Sequence, residues 1–314
     1  MATHRLEADD ATLHGTFSRD RAPVLTVDPG DTVVLTTLDS GWSTGPWAGP
    51  PAEWVRHPAW REGLGHALTG PIAVRGAGPG DTLEVRVVDV VPGGYGTTFA
   101  GGRPTPFNER YGLTEEAAVL AWTLDAAAGT GTNQLGLSVP LRPFPGVIGM
   151  PPPEPGEHST IPPRVWGGNL DCRDLVAGAT LHLPVPVPGA LLSVGDGHAR
   201  QGDGEVGGTA IECPMARVEL VLDVRRDDPV TGPVVRGADG AWLTRGLGDT
   251  LADAAHEALA AMFALLEARF GLSRAEAVAL ASVVVDVRVT QIVNQVVGAH
   301  AVLPPDVLDR RGGR

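Results

Sequence analysis

Lysine is absent from this 314-residue chain, so its 24 basic residues are all arginine, and no basic run exists apart from Arg310, Arg311 and Arg314 in the tail. With 37 acidic residues the formal charge is −13. That balance excludes the positive patch that nucleic acid or an anionic membrane surface would require of a partner. Cysteine is nearly as scarce: Cys172 and Cys213 are too few for a disulfide framework. Nor is there an N-terminal apolar segment of the signal-peptide kind, or an apolar run long enough to span a bilayer. A soluble cytoplasmic protein with reduced thiols is expected. Cys213 precedes Pro214 and reads as a small buried residue, since no activating partner lies nearby in sequence.

Glycine and proline are what the chain has in excess, 42 and 28 residues respectively. Without a Gly-X-Y period, so much turn-forming residue predicts many short strands and shaped loops rather than long helices. The apolar fraction of 43% is ordinary for a globular protein, and the length suffices to bury a sizeable core.

In chain order, Ala22 to Thr26 and Thr32 to Thr37 flank the turn Pro29-Gly30-Asp31 and predict paired strands. The same unit returns at Pro79-Gly80-Asp81, followed by a strictly alternating strand to Val88, and more weakly at Ala177 to Leu183. These Gly-centred hairpins predict β-sandwich or barrel-like layers. His66, in Gly65-His66-Ala67, could bind or move a proton near its unperturbed pKa of ~6.5, although nothing local orients it. Residues 97 to 105, Glu115-Glu116 and 126 to 132 read as loops. Leu141 to Met150 is apolar but broken by proline, which predicts a buried edge or connector. The proline-dense 151 to 163 reads as a rigid arm leading into Gly167. Trp42, Trp47, Trp54, Trp60 and Trp122 are candidates for pocket walls or for core packing.

Helix is expected only late. Asp249 or Thr250 can cap a segment running to about Phe270, with Ala255, Leu259, Met262, Leu265 and Leu266 as its apolar stripe and Gly271 ending it. Ser273-Arg274-Ala275-Glu276 is a capping box for a second helix, and 285 to 290 alternates as a strand. The chain thus predicts a mainly β fold with an α+β C-terminal part: a β-rich region over 1–215 carrying the site, an α+β region over 216–308, and a disordered tail, 309–314.

The chain is organised around Gly167 to Glu212. Metal-capable side chains recur there at a spacing of two: Asn169 with Asp171, Asp196 with His198, Asp203 with Glu205. In extended backbone, residues two apart share a face, so each pair can converge on one point. Interleaved glycines, among them Gly202 and Gly204, let backbone approach a ligand closely. A set of Gly/Asp hairpin turns would explain any one pair, but three pairs in so short a stretch point to a site.

The run Gly-Gly-Asn-Leu-Asp-Cys at 167 to 172, with Ser-Val-Gly-Asp-Gly-His-Ala at 193 to 199 and Gln-Gly-Asp-Gly-Glu at 201 to 205, closely resembles the acetamidase/formamidase family. Thr3-His4, Thr69 to Ile72, Pro79 to Leu83, Gly146 to Gly149 and His300 to Pro304 look like the family's framework in the same order. The resemblance implies hydrolysis of short-chain amides to carboxylate and ammonia, a zinc or calcium ion near the central motif, and a homo-oligomer. One position departs from the pattern: relatives commonly carry cysteine where this chain has Gly207, which favours water as the nucleophile here.

His198 with Asp171 and Asp196 makes a nitrogen and oxygen set suited to Zn²⁺, while Asn169, Asp203 and Glu205 would also suit Ca²⁺. Asn169, Asp171, Asp196 and His198 are the expected metal ligands. Glu205 first, or Asp203, is the expected general base and acid. Gln201 or the main chain at Gly202 and Gly204 would hold the oxyanion, and His66 and Glu212 would contact a small amide substrate. Three alternatives stay open: a metal-stabilised β protein that binds a small ligand without turnover, an amidase for a lactam or longer acyl amide, and a purely structural Ca²⁺.

Overall fold

The computed structural model describes residues 1–49, 54–227 and 229–308. The expected disordered tail, with Arg310, Arg311 and Arg314, lies outside the described residues. The described chain is mainly β, as its turn-rich composition predicts. Its largest sheet has nine strands, in the order Thr3–Leu6, Asp31–Thr37, Met215–Arg225, Thr82–Pro92, Thr180–Pro184, Val234–Arg236, Trp242–Gly248, Val297–Leu303 and Asp286–Gln291. Met215–Arg225 therefore pairs with N-terminal strands on both sides, and the sheet continues unbroken into the C-terminal strands.

A second sheet runs Gly167–Asn169, Phe144–Gly149, Leu192–His198, Leu68–Val74 and Leu13–His14, with Leu25–Val27 added in parallel to Leu68–Val74. The two sheets share one core: Leu83, Val85, Val87 and Leu220 from the first cluster with Ile72, Phe144, Ile148, Leu192 and Val194 from the second. That gives the sandwich-like layering read from the hairpin repeats.

Two of the stretches read as loops, 97 to 105 and 126 to 132, contain strand residues, whereas Glu115-Glu116 is loop as expected. Tyr95–Gly101, Ala117–Asp125 and Thr130–Asn133 join Ser138–Pro140 in a small antiparallel sheet. Its buried members of the main core are Trp122 and Leu124, with Leu120 and Val139 half-buried against it, too few for a sustained apolar alternation in sequence. The stretch expected to be an edge or connector is interior: Phe144–Gly149 pairs with both Gly167–Asn169 and Leu192–His198. Pro143 precedes that strand and Pro145 is its second residue, so the proline restriction falls at its entrance.

The helices Leu251–Phe270 and Arg274–Val284 begin at Thr250 and at the capping box of Ser273 with Glu276, and Gly271 closes the first in the left-handed conformation. The buried stripe is shifted from the expected one, to Ala254, Ala258, Met262 and Leu266. The cause is a close helix–sheet approach. A Cβ on Gly246 would lie 2.0 Å from the Ala254 carbonyl oxygen, so small residues must meet there while Leu259 and Leu265 pack at the flanks.

Gly195, mid-strand in the second sheet, is similarly confined, since a Cβ there would lie 2.1 Å from the Ala67 carbonyl oxygen. Gly195→Ala is expected to cost about 1–3 kcal/mol or more by overpacking. Gly94→Ala, where an added Cβ meets nothing within 4 Å, should leave the thermal midpoint in place. Equal midpoints for the two variants would contradict the packing described.

Candidate active site and metal centre

Asp196 and His198 stand two apart on the central strand Leu192–His198, and their side chains cross the neighbouring strand at Gly146. A Cβ there would lie 2.6 Å from both Asp196 Oδ2 and His198 Cε1, so only glycine fits. The Gly146 carbonyl also accepts from the main-chain N–H of Leu170 (3.0 Å) and Asp171 (3.2 Å), which brings the Asn169–Asp171 turn to the same place. Asp171 (φ 46°), Asp196 (φ 55°) and Glu205 (φ 46°) all hold left-handed backbone. Such conformations cost of order 1–3 kcal/mol each and persist where surrounding bonds fix them.

Those bonds are visible. Three consecutive carbonyls are each tied by a buried side-chain donor: Asn169 O by Gln291 Nε2 (3.3 Å), Leu170 O by Arg245 Nη1, and Asp171 O by Gln201 Nε2 (3.0 Å). The Glu205 turn is held to the end of Asp286–Gln291, where Gly204 N–H donates to Thr290 O and Ile292 N–H donates to Gly204 O, both at 3.0 Å.

The result is a group of five buried carboxyl groups with the His198 imidazole among them. Asp39, Asp171, Asp196, Glu205 and Glu212 are each at most 6% exposed, and His198 is 1% exposed. His198 Nε2 lies 3.4 Å from both Asp196 Oδ2 and Glu212 Oε2. Burial alone would favour the neutral ring, but the Glu212 and Asp196 charges raise the His198 pKa well above its usual range. Burial likewise opposes ionisation of Asp196, yet His198 holds its pKa low. Asp171 goes the other way, raised to about 7 by burial against the pull of His198. Glu205 is pushed up to about 10 by burial and by the neighbouring Asp171, and burial raises Asp39 also.

One imidazolium cannot neutralise this set. A divalent cation fits it: ligand atoms of Asp171, Asp196 and His198 lie within 4.8 Å of one another. Asn169 Oδ1, Asp171 Oδ1, Asp196 Oδ1 and His198 Nδ1 are buried without a hydrogen-bond partner. Asn169 is aimed by its own amide, whose Nδ2 donates to Ile161 O at 3.1 Å, so its oxygen is the free end. A cation among them would favour ionised carboxylates and a neutral ring.

Three of the residues singled out in sequence as ligands, Asp171, Asp196 and His198, therefore converge, and Asn169 lines the cavity beside Asp196. The other candidates fall in different places. Glu205 and Glu212 line the cavity described below, and Ala210 N–H donates to Glu212 Oε1 at 2.8 Å. Asp203 instead pairs with Arg173 at 3.2 Å and does not line it. Gln201 holds the Asp171 carbonyl and, like Gly202 and Gly204, is outside the lining. His66 does line the cavity, and its Nδ1 is 2.9 Å from Thr160 Oγ1. That partner comes from the proline-rich arm, far away in sequence, which is why no local orienting group was visible.

Asn294 and Asp39 were not anticipated. The two protons of Asn294 Nδ2 face three acceptors: Asp171 Oδ2 at 2.8 Å, Glu205 Oε2 at 3.0 Å and Gln291 Oε1. Asn294 lies on a turn with φ 68°, in a sequence that carries no motif. Both cysteines are buried, which raises the Cys172 thiol to about 11 and Cys213 higher still. Neither is a ready nucleophile.

Asn169, Asp196, Glu205, Glu212, Asp39, His66 and Asn294 open onto one cavity of about 1120 Å³. Asp171 and His198 stand behind them, in contact with Asp196 and, through Asn294, with Glu205. Trp42, Trp54 and Trp60 are among the walls, whereas Trp122 is in the core. Gly207 lies on the lining, and an added Cβ there meets nothing within 4 Å, so space for the relatives' thiol remains.

The chain matches the model of the Acetamidase/Formamidase family over residues 2–155 and 154–310. Its fold is similar to an acetamidase from Bacillus halodurans, at 30% identity and TM-score 0.84 over 96% of this chain and 97% of that one. An acetamidase from Yersinia enterocolitica is alike at 27% identity and TM-score 0.84, covering 98% and 93%. A formamidase of Methylophilus methylotrophus is 27% identical over 253 residues, 63% of this chain and 60% of that protein's length. Matched from end to end in both sequence and fold, the chain belongs to the acetamidase/formamidase family, hydrolases of amide C–N bonds.

Proposed function

We propose that the cavity hydrolyses a primary amide to carboxylate and ammonia, with Asn169, Asp171, Asp196 and His198 holding a divalent metal ion, zinc before calcium. The observation that carries this reading is the convergence of Asp171, Asp196 and His198 within a group of five buried carboxyl groups, with unpartnered buried oxygens on Asn169, Asp171 and Asp196. A binding protein without turnover would have no need of so costly a charge cluster at the floor of its pocket.

An unactivated amide requires an activated water, stabilisation of the oxyanion and a proton for the departing nitrogen. The ion, when bound, supplies Lewis acidity toward the carbonyl and acidifies water toward ~7. Glu205, which a bound cation would keep ionised, removes the proton from the attacking water and returns it to nitrogen. Asn294 orients Glu205 against Asp171 through its forked N–H groups. Glu212 holds the His198 ring, and Gln201, Arg245 and Gln291 fix the main chain that carries Asn169 and Asp171. His66, steadied by Thr160, lines the same cavity and contacts the substrate there. With both thiols buried and no side chain at 207, water is the nucleophile.

Among the described residues no helix is long and apolar enough to cross a membrane. A homo-oligomer, as the family resemblance implies, is part of the same reading and is checked by sedimentation.

Glu205→Gln is expected to lower kcat for ammonia release by about 100-fold or more with metal content and fold retained, and unchanged turnover would overturn the assignment. Asp203→Asn, which loosens only a half-exposed ion pair, should keep kcat within about fivefold. A larger loss there than in Glu205→Gln would transfer the base to Asp203.

A further inference from the structure

Resting on the amide-hydrolase reading, we propose that the substrate this cavity is shaped for is a primary amide with a bulky aromatic acyl group rather than formamide or acetamide. The cavity's volume, about 1120 Å³, lies just above the ~300–1,000 Å³ range typical of sites for drug-sized ligands. An amide no larger than acetamide would occupy only the polar floor and leave the remainder to water.

The walls above that floor mix polar side chains such as Arg103, Thr105 and Asn108 with a group of aromatic rings. Trp54, Trp60, Phe99 and Phe107 line one continuous space with Glu205 and Asn294. These rings are held in place. Trp54 packs against Trp47 at a centroid distance of 6.4 Å, Phe107 against Tyr111 at 4.7 Å, and the Arg56 guanidinium sits 4.3 Å over Trp60. Phe99 is 38% exposed although it stands on a strand beside the site, so an apolar face is left uncovered where an acyl group would lie. Fixed rings lining a cavity favour another ring, which gains offset or edge contacts beyond simple burial. Contacts remote from the reacting carbonyl also orient it, so their benefit is expected in kcat/KM.

The test uses the metal-replete enzyme and ammonia release from acetamide, hexanamide and phenylacetamide. The expected kcat/KM for phenylacetamide exceeds those for acetamide and hexanamide by at least about tenfold. Phe99→Ala and Trp60→Leu should each reduce the phenylacetamide-to-acetamide ratio by about tenfold. Acetamide turned over as well as phenylacetamide, or hexanamide better, overturns the aromatic assignment while leaving the hydrolase reading intact. No release from any amide would sink both. The wild-type series alone decides the matter should either variant fail to fold.

Discussion

Negative charge packed out of reach of water is the constraint on which the rest of this structure depends. Grouping Asp39, Asp171, Asp196, Glu205 and Glu212 with one imidazole among them removes the hydration of all five carboxyl groups at once, which is unfavourable unless protons, cations or fixed dipoles answer it. The chain answers partly with protons, since burial raises Asp39, Asp171 and Glu205, and partly with the charge that Asp196 and Glu212 draw onto His198. The proposed divalent ion would complete the neutralisation and supply the cluster's chemistry. The same cluster would be a plain liability in a protein that only needed to fold.

Holding such groups together takes rigidity, and the β layers supply it. Gly146 is where the two requirements meet. It gives up a side chain to let Asp196 and His198 cross, and its carbonyl gathers the Asn169–Asp171 turn. Behind that turn, Gln201, Arg245 and Gln291 arrive from three separate segments to tie three successive carbonyls. The C-terminal strands are thus part of the site's frame, and Asn294 on the turn between the last two reaches the carboxylates directly.

The central motif was legible because its metal-capable side chains are grouped in sequence, and Asp171, Asp196 and His198 do meet, although Asp171 and Asp196 hold left-handed rather than extended backbone. So were the hairpin repeats, Thr250, Gly271 and the Ser273 capping box, where one or two residues determine local geometry. What sequence could not show was assembled over distance. Thr160 orients His66 across 94 positions, and Asn294 approaches Asp171 across 123. Pairing by two also overreached at Asp203, which turns to Arg173 while Glu205, in left-handed backbone, turns inward. Strands of the small sheet escaped notice because their faces are mostly solvated, and Phe144–Gly149 because its prolines hid an interior strand.

The most direct measurement of the central claim is ammonia release from acetamide by protein of known metal content, before chelation, after it, and after stoichiometric Zn²⁺ is restored. The account predicts release that vanishes with the metal and returns with it, while the stripped protein stays folded. Full release from metal-free protein would contradict it and leave the carboxylate cluster without its assigned role.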